Sequence, residues 1–386
     1  MGLFSRRKKG DSVPKTDDCS VRYRECDSDR RTGSGSRKVF LVPPVNGLPD
    51  REKFMDGIFD DSCMGMMMNS DTKFPANDWY ELSAGRGNCD AQFNLAFNLE
   101  HGIGAQRDVV KAVEWYTKAA AGGNFKAYYC LGCIYAADSE LADLEKSYDC
   151  FSRASTEGIS RASYLLYVMY MKGMGLDEPN TYLAIKCLKQ AAEEKDPAAL
   201  YAMGQLSLYG SEYVDRSGDR AWKYFEESSL LGCVPAMTAV GVMLCFGLGG
   251  KNPNRNVAYS TLMAASNSGD MTASNALGLM HLYSMTQSCS PKKSEDLFRI
   301  SAATGDGSAL NNLAVIQYFG MDGKDDAAEN FRKASENGSV HAAENAVSIS
   351  SGEPMACELD CGYISLSLIM DEEHVKKIKE HARCYM

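Results

Sequence analysis

Histidine is scarce in this chain, with five in 386 residues, and the shortage narrows the chemistry open to it. His101, His281, His341, His374 and His381 form no metal-ligand spacing, and only the last two, seven residues apart, can share a helix face. No H-E-x-x-H, phosphate-binding loop or nucleophile elbow occurs, so no catalytic site, metal or cofactor is expected. Adjacent carboxylates such as Glu193-Glu194 and Asp325-Asp326 fall at expected helix ends or exposed faces, where solvation accounts for them. No run of 18 apolar residues is present, so no segment reads as membrane-spanning. No apolar stretch follows the first basic residues either, which reads against a secretory signal.

Positive charge is also short: 41 Lys and Arg stand against 51 Asp and Glu, a net −10. Residues 1–38 hold 11 basic against 6 acidic side chains, a net +5, which leaves −15 for residues 39–386. An acidic body argues against recognition of nucleic-acid phosphates. Without a secretory signal the fourteen cysteines are expected in a reducing, cytoplasmic setting, as small core residues. The Cys130-x-x-Cys133 pair lies inside a helical pattern with no second pair nearby, so it reads as core rather than as zinc or redox chemistry.

What the sequence does hold is a repeat. The stretch from Ala91 to Asn124 places Ala91, Leu95, Ala96 and Leu99 on one helix face, breaks at Gly102 and Gly104, and resumes after Asp108, a candidate N-cap. The second run packs with Ala112, Trp115, Tyr116, Ala119 and Ala120, and Gly123 ends it. Alanines equivalent to Ala91 recur at Ala127, Ala162, Ala199, Ala236, Ala273 and Ala309, with gaps of 35 to 37 residues. Five positions after each come Ala96, Gly132, Tyr167, Gly204, Gly241, Gly278 and Ala314, six of the seven small. The second helices carry Tyr116, Phe151, Leu188, Phe225, Leu262, Phe298 and Phe331 at one place. Seven residues further on stand Gly123, Gly158, Lys195, Gly232, Gly269, Gly305 and Gly338, and Lys195 is expected to end its repeat with a different geometry. One hairpin cannot bury its apolar face alone, so a fixed period of this length implies a solenoid.

These residues resemble the Sel1-like repeat family, whose pattern runs A-x-x-x-L-G-x-x-Y-x-x-G-x-G, a variable turn, then K-A-x-x-W-Y-x-K-A-A-x-x-G. The first full repeat matches at Ala91, Leu95, Gly102, Gly104, Lys111, Ala112, Trp115, Tyr116, Lys118, Ala119 and Ala120; the second keeps Ala127, Leu131, Gly132 and Tyr135. The resemblance covers residues 76–340 and implies an all-α, right-handed α-solenoid of about seven to eight helix-turn-helix repeats. It also implies a job in the class of scaffolds and adaptors for multiprotein complexes, some of them membrane-associated.

Four regions follow: a disordered basic tail over 1–38, an extended segment and degenerate capping repeat over 39–89, the repeats over 90–340, and a closing degenerate repeat with capping helices over 341–386. Gly2, followed by Arg6, Arg7, Lys8 and Lys9, fits an acylation site with a polybasic second signal, although Arg6 stands where Ser or Thr is usual. A solvated tail and a nuclear import signal remain alternative readings. Val39-Phe40-Leu41-Val42 before Pro43-Pro44 reads as an extended segment lying on the solenoid. Ala76, Trp79, Tyr80, Ala84 and Gly87 overlay Ala112, Trp115, Tyr116, Ala120 and Gly123, marking a half-repeat; the Met-rich stretch before it, residues 54–69, reads as an N-terminal cap or an adaptable binding surface.

Two residues after each opening alanine stand Phe93, Tyr129, Tyr164, Tyr201, Thr238, Asn275 and Asn311; Phe97 belongs to the next column on the same face. If this face lines the concave groove, Phe93, Phe97, Tyr129, Tyr164, Tyr201, Asn275 and Asn311 are partner-binding residues, and Phe93, Tyr129, Tyr164 and Tyr201 are partly exposed. In the other reading the rings pack against the neighbouring helix. Two functions stay open: a non-enzymatic scaffold or adaptor holding a partner segment on the concave face, or a membrane-recruited regulatory subunit that activates or localises a bound enzyme.

Overall fold

Short capping side chains set where each helix begins. In the computed structural model, which describes residues 76–351 apart from 138–139, 284, 287–289 and 320–323, sixteen helices follow one another. The first helices of successive hairpins are α2 (Cys89–His101), α4 (Lys126–Ala137), α6 (Ser160–Lys172), α8 (Pro197–Tyr209), α10 (Val234–Phe246), α12 (Met271–Leu282), α14 (Gly307–Phe319) and α16 (Val340–Ser351). Second helices are α1 (Ala76–Gly85), α3 (Val109–Ala121), α5 (Leu144–Thr156), α7 (Thr181–Glu193), α9 (Gly218–Leu230), α11 (Arg255–Asn267), α13 (Pro291–Ala302) and α15 (Lys324–Glu336). Among the described residues there is no strand, only an isolated bridge between Ser211 and Val214. The tail, Gly2, Arg6 to Lys9, the extended and Met-rich segments, and the closing helices after Ser351 lie outside the described residues.

Asp108, Asp143, Asn180 and Asn254 each accept a hydrogen bond from the backbone N–H three residues on, at 3.0 to 3.2 Å, satisfying a donor that the first turn leaves open. At Asp108 and Asp143 that bond holds the carboxyl below the usual carboxylate range. After the second helices, Gly123, Gly158, Gly232, Gly269, Gly305 and Gly338 all take the left-handed conformation. Lys195 takes it too, at φ 63°, so the expected departure is corrected: the backbone keeps its geometry and the side chain bears the strain.

Inside each hairpin the small column receives the ring of the second helix. A Cβ added to Gly132 would stand 2.6 Å from Phe151, one on Gly204 2.5 Å from Phe225, and one on Gly278 2.5 Å from Phe298. Leu262 occupies the same seat over Gly241, at 2.6 Å. Where Tyr167 breaks the small column, the facing second helix carries Leu188 instead of a ring, and both are buried in one cluster. Ser147 and Ser294 donate to the carbonyls of Gly132 and Gly278 at 2.8 Å, so even the polar substitutions in the alanine column are satisfied.

Packing is heaviest within a hairpin, next between a second helix and the first helix that follows it. In the C-terminal half, α10 also meets α12, α12 meets α14, and α14 meets α16. The half-repeat α1 joins the array through Asn77, whose Oδ1 accepts from Asn98 at 2.6 Å and whose Nδ2 donates to the Ile103 carbonyl at 2.8 Å.

Lys195→Gly is expected to raise stability by about 1 kcal/mol, since glycine carries no penalty at left-handed φ. The exposed Lys195–Glu227 pair, 2.7 Å, is lost in the exchange but contributes at most a few tenths. A melting temperature equal to or below that of the parent protein would falsify the strain assignment.

Candidate functional site

The face formed by the first helices is where the column at Phe93, Tyr129, Tyr164 and Tyr201 lies, and its rings turn inward. Phe93 meets Tyr116 of α3 edge-on at 5.5 Å, Tyr129 lies 5.9 Å from Phe151 of α5, and Tyr201 lies 5.7 Å from Phe225 of α9. In the hairpin where the second helix offers Leu188, Tyr164 packs instead on Tyr167 of its own helix, at 5.8 Å. Phe97 stacks on His101 at 4.1 Å. The expected partial exposure is therefore corrected for Phe93 and Tyr129, which are buried, while Tyr164 and Tyr201 are half-buried; Phe97 is buried as well. Burial pushes the Tyr129 hydroxyl far above its ordinary value and the Tyr164 hydroxyl up to about 12, so both are neutral at physiological pH.

Asn275 and Asn311 are also fully buried, which corrects the expectation of an open amide-lined surface. They belong to a chain of amides that ties three first helices together. Asn312 of α14 donates to Asn275 Oδ1 of α12 at 2.9 Å, and Asn345 of α16 donates to Asn311 Oδ1 of α14 at 3.0 Å. An amide can bond both ways, so it suits a buried position between like neighbours. Every residue of α12 from Thr272 to Leu282 is buried, leaving no open face on that helix.

Toward the middle of the array the links are charged. Arg161 of α6 bonds both oxygens of Asp196 at 3.1 and 3.3 Å, and Asp196 Oδ1 also caps α8 through the Ala199 N–H at 2.9 Å. The guanidinium stands over the Tyr164 ring at 5.3 Å. Thr238 donates to Asp270 Oδ2 at 2.6 Å while Asp270 caps α12 through the Thr272 N–H at 2.9 Å. In both cases the carboxylate that starts one first helix is held by the first helix before it.

The face opens where the aromatic column ends. Thr238 stands next in line after Tyr201, and without a ring there a small, partly open cleft lies between α8 and α10. Tyr201, Gln205, Leu208 and Tyr209 form one wall, Pro235, Thr238, Ala239 and Val242 the other, with Phe225 and Thr272 completing it. Gln205 is 5% exposed; its Nε2 donates to Tyr201 Oη at 2.9 Å, and its Oε1 has no hydrogen-bond partner. The walls are mostly apolar with a few placed polar groups, and the lining includes no nucleophile–base pair. Sequence reasoning singled out Tyr201 but not the set that includes Gln205, Tyr209 and Pro235. The signal for it was the break from aromatic to threonine at Thr238.

The two cysteines of the C-x-x-C pair, Cys130 and Cys133, are both buried in α4. Cys245 lies 3.4 Å from the Met285 sulfur, and burial pushes its thiol up to about 12.

Tyr129→Ala is expected to destabilise the protein by about 3–5 kcal/mol, as much as Phe225→Ala, because both rings are removed from packed interiors. Denaturant or thermal melts of the two variants decide it. A Tyr129→Ala loss below about 1 kcal/mol would return that ring to the exposed surface.

The Sel1 repeat family model matches residues 89–124, 160–196, 197–233, 234–260 and 307–339. The stretches it passes over contain α4 with α5 and α12 with α13, which the structure shows as hairpins of the same kind. A sel1-like repeat-containing protein of Acanthamoeba polyphaga mimivirus is 35% identical over 130 residues, 33% of this chain and 23% of that protein. Chitin synthase regulatory factor 3 of Schizosaccharomyces pombe is 25% identical over 232 residues, 58% of this chain and 24% of that protein. The matched segments thus span less than a quarter of these curated relatives. A protective antigen of uropathogenic Escherichia coli displaying an SLR fold superposes with a TM-score of 0.57 at 22% identity, over 80% of this chain and 63% of that one. In-register hairpins, the family match and a shared fold agree, and the chain belongs to the Sel1-like repeat family.

Proposed function

We propose that this protein is a non-enzymatic scaffold or adaptor that holds a segment of a partner protein against the layer of first helices. The observation that carries the reading is the cleft between α8 and α10, apolar in its walls and provided with an unused acceptor on Gln205. Burial of apolar side chains supplies affinity there, and a buried polar group that only the right ligand satisfies supplies selectivity. The half-buried Tyr201 is the one aromatic of the column that also lines the cleft, so it serves both core and site. Phe93, Phe97, Tyr129, Asn275 and Asn311 act on binding only by holding the first helices in place.

Pro235→Arg places a cation and a longer side chain on the cleft wall, at a helix start that tolerates the change. Purification of the full chain from its own cells is expected to lose its specific partner with Pro235→Arg and to keep it with Tyr182→Arg. Tyr182 is 63% exposed on α7, and it meets the exposed Tyr213 ring at 6.2 Å, away from the cleft lining. Equal retention by both variants, with both still folded, would remove the cleft from partner binding.

A second reading is favoured by the fission-yeast relative, whose name describes a regulatory factor of chitin synthase. In it the chain is a regulatory subunit that activates or localises a bound enzyme. Gly2 and the cluster Arg6, Arg7, Lys8 and Lys9 provide contact with anionic membrane from the cytoplasmic side. Gly2→Ala is then expected to move the protein from the membrane to the soluble fraction; an unchanged distribution would leave the scaffold reading alone.

A further inference from the structure

We infer that the cleft between α8 and α10 is a site for an extended, proline-containing apolar peptide, and that its occupant in the isolated protein is residues 39–45 of the same chain. The inference rests on the reading of this cleft as the binding site and adds what fills it. Four features of the molecule converge on it.

The first is chemical fit. Tyr201 and Tyr209 form one wall, and Pro235, Ala239 and Val242 face them. Proline-rich segments in extended conformation dock in aromatic-lined grooves of this kind, because their backbone is pre-ordered and little entropy is lost on binding. Val39-Phe40-Leu41-Val42-Pro43-Pro44-Val45 has that character: four apolar residues, then two prolines that exclude helix for the residue before them.

The second is the unused acceptor. Gln205 Oε1 is buried without a partner, and a peptide N–H entering the cleft would satisfy it. Pro43 and Pro44 have no N–H, so the donor must come from residues 39–42 or from Val45. That restriction keeps Pro43 and Pro44 off the Gln205 acceptor and places an apolar residue of the segment beside it.

The third is reach. Thirty residues, 46–75, separate Val45 from the start of α1. A chain of that length can reach up to about 100 Å. From α2 to α8 there are three repeat steps of about 10 Å each, about 30 Å in all and within that reach. A tethered segment that can reach its site meets it at high effective concentration. Other first helices compete poorly: α12, for one, is buried from Thr272 to Leu282 and offers no open face.

The fourth is charge. Residues 1–38, immediately before the segment, carry +5, while residues 39–386 carry −15. Opposite net charges favour approach of the segment to the repeats.

The test uses the full chain with a photo-reactive phenylalanine analogue in place of Phe40. On irradiation at low protein concentration, cross-links within one chain are expected on the peptides that contain Tyr201–Tyr209 or Pro235–Val242. Pro235→Arg is expected to lower their yield about tenfold, which corresponds to about 1.4 kcal/mol of binding. If Pro235→Arg does not fold, the doubly substituted Pro43→Gly, Pro44→Gly chain carries the same expectation, since it changes no residue of the repeats. Cross-links elsewhere on the chain, or between two chains, overturn the inference. If the partner is lost in Pro235→Arg while the label at position 40 fails to reach the cleft, the scaffold reading stands and this occupant falls. If the label reaches the cleft while partner capture ignores Pro235→Arg, the occupant stands and the partner site lies elsewhere.

Discussion

Three hairpins close on a seat in which a second-helix ring lies against a first-helix backbone that carries no side chain, and the other hairpins vary that seat. At Gly132, Gly204 and Gly278 the ring of Phe151, Phe225 or Phe298 occupies the volume that a Cβ would need. The seat fixes the distance between the two helices and their rotation at once, because the ring fits only one stretch of backbone. It also determines what the column two residues after each alanine does. Once the ring is seated, Phe93, Tyr129 and Tyr201 meet it from the side, within 5.9 Å, and become core. The exchange at Tyr167 and Leu188 shows the constraint from the other direction: where the seat is filled from the first helix, the second helix gives up its ring. Tyr164 then lacks its usual partner and turns to Tyr167.

Between hairpins the contacts differ along the array, although the backbone repeats. Arg161 and Asp196 form an ion pair with side chains 18% and 4% exposed, so removing either partner leaves a largely buried charge. Thr238 and Asp270 use a neutral donor for the same job. From α12 onward the amides of Asn275, Asn312, Asn311 and Asn345 take over. In a one-dimensional array, stability is a sum of repeat and interface contributions, and such links also fix which neighbour belongs where. An amide facing an apolar surface would lose its hydrogen bonds, so a shifted or missing repeat in the α12–α16 stretch is costly.

The repeat, its six glycine-or-alanine positions and the helix caps were legible in the sequence because each rests on local chemistry. Asp108 caps a helix wherever it is placed, and a glycine at left-handed φ serves the same turn in every hairpin. Lys195 was misjudged for the opposite reason: its neighbours impose the turn, and local preference yields to them. The side on which Phe93, Tyr129 and Asn275 lie was not legible. A first helix is enclosed by its own second helix, the preceding second helix and its neighbours in the same layer. Apolar residues therefore surround it, and periodicity no longer separates core from surface. Tyr201 was singled out in the sequence, but the cleft that it lines with Gln205, Tyr209 and Pro235 exists only when α8 and α10 are side by side.

The cleft follows from the same packing rule that fills the rest of the array. A ring at position 238 would have continued the column from Tyr201 and closed the space between α8 and α10. Threonine instead directs its hydroxyl to Asp270, so one residue both caps the link to α12 and leaves the opening toward α8. Incomplete filling has a cost, because side chains that line a space lose dispersion contacts that a packed core would supply. A peptide seated there would restore those contacts and satisfy Gln205, strengthening the junction between two hairpins as it binds. In a solenoid the effect spreads only to adjacent repeats. A segment bound at the middle of this array would therefore stiffen α8 to α12 and leave both ends unchanged.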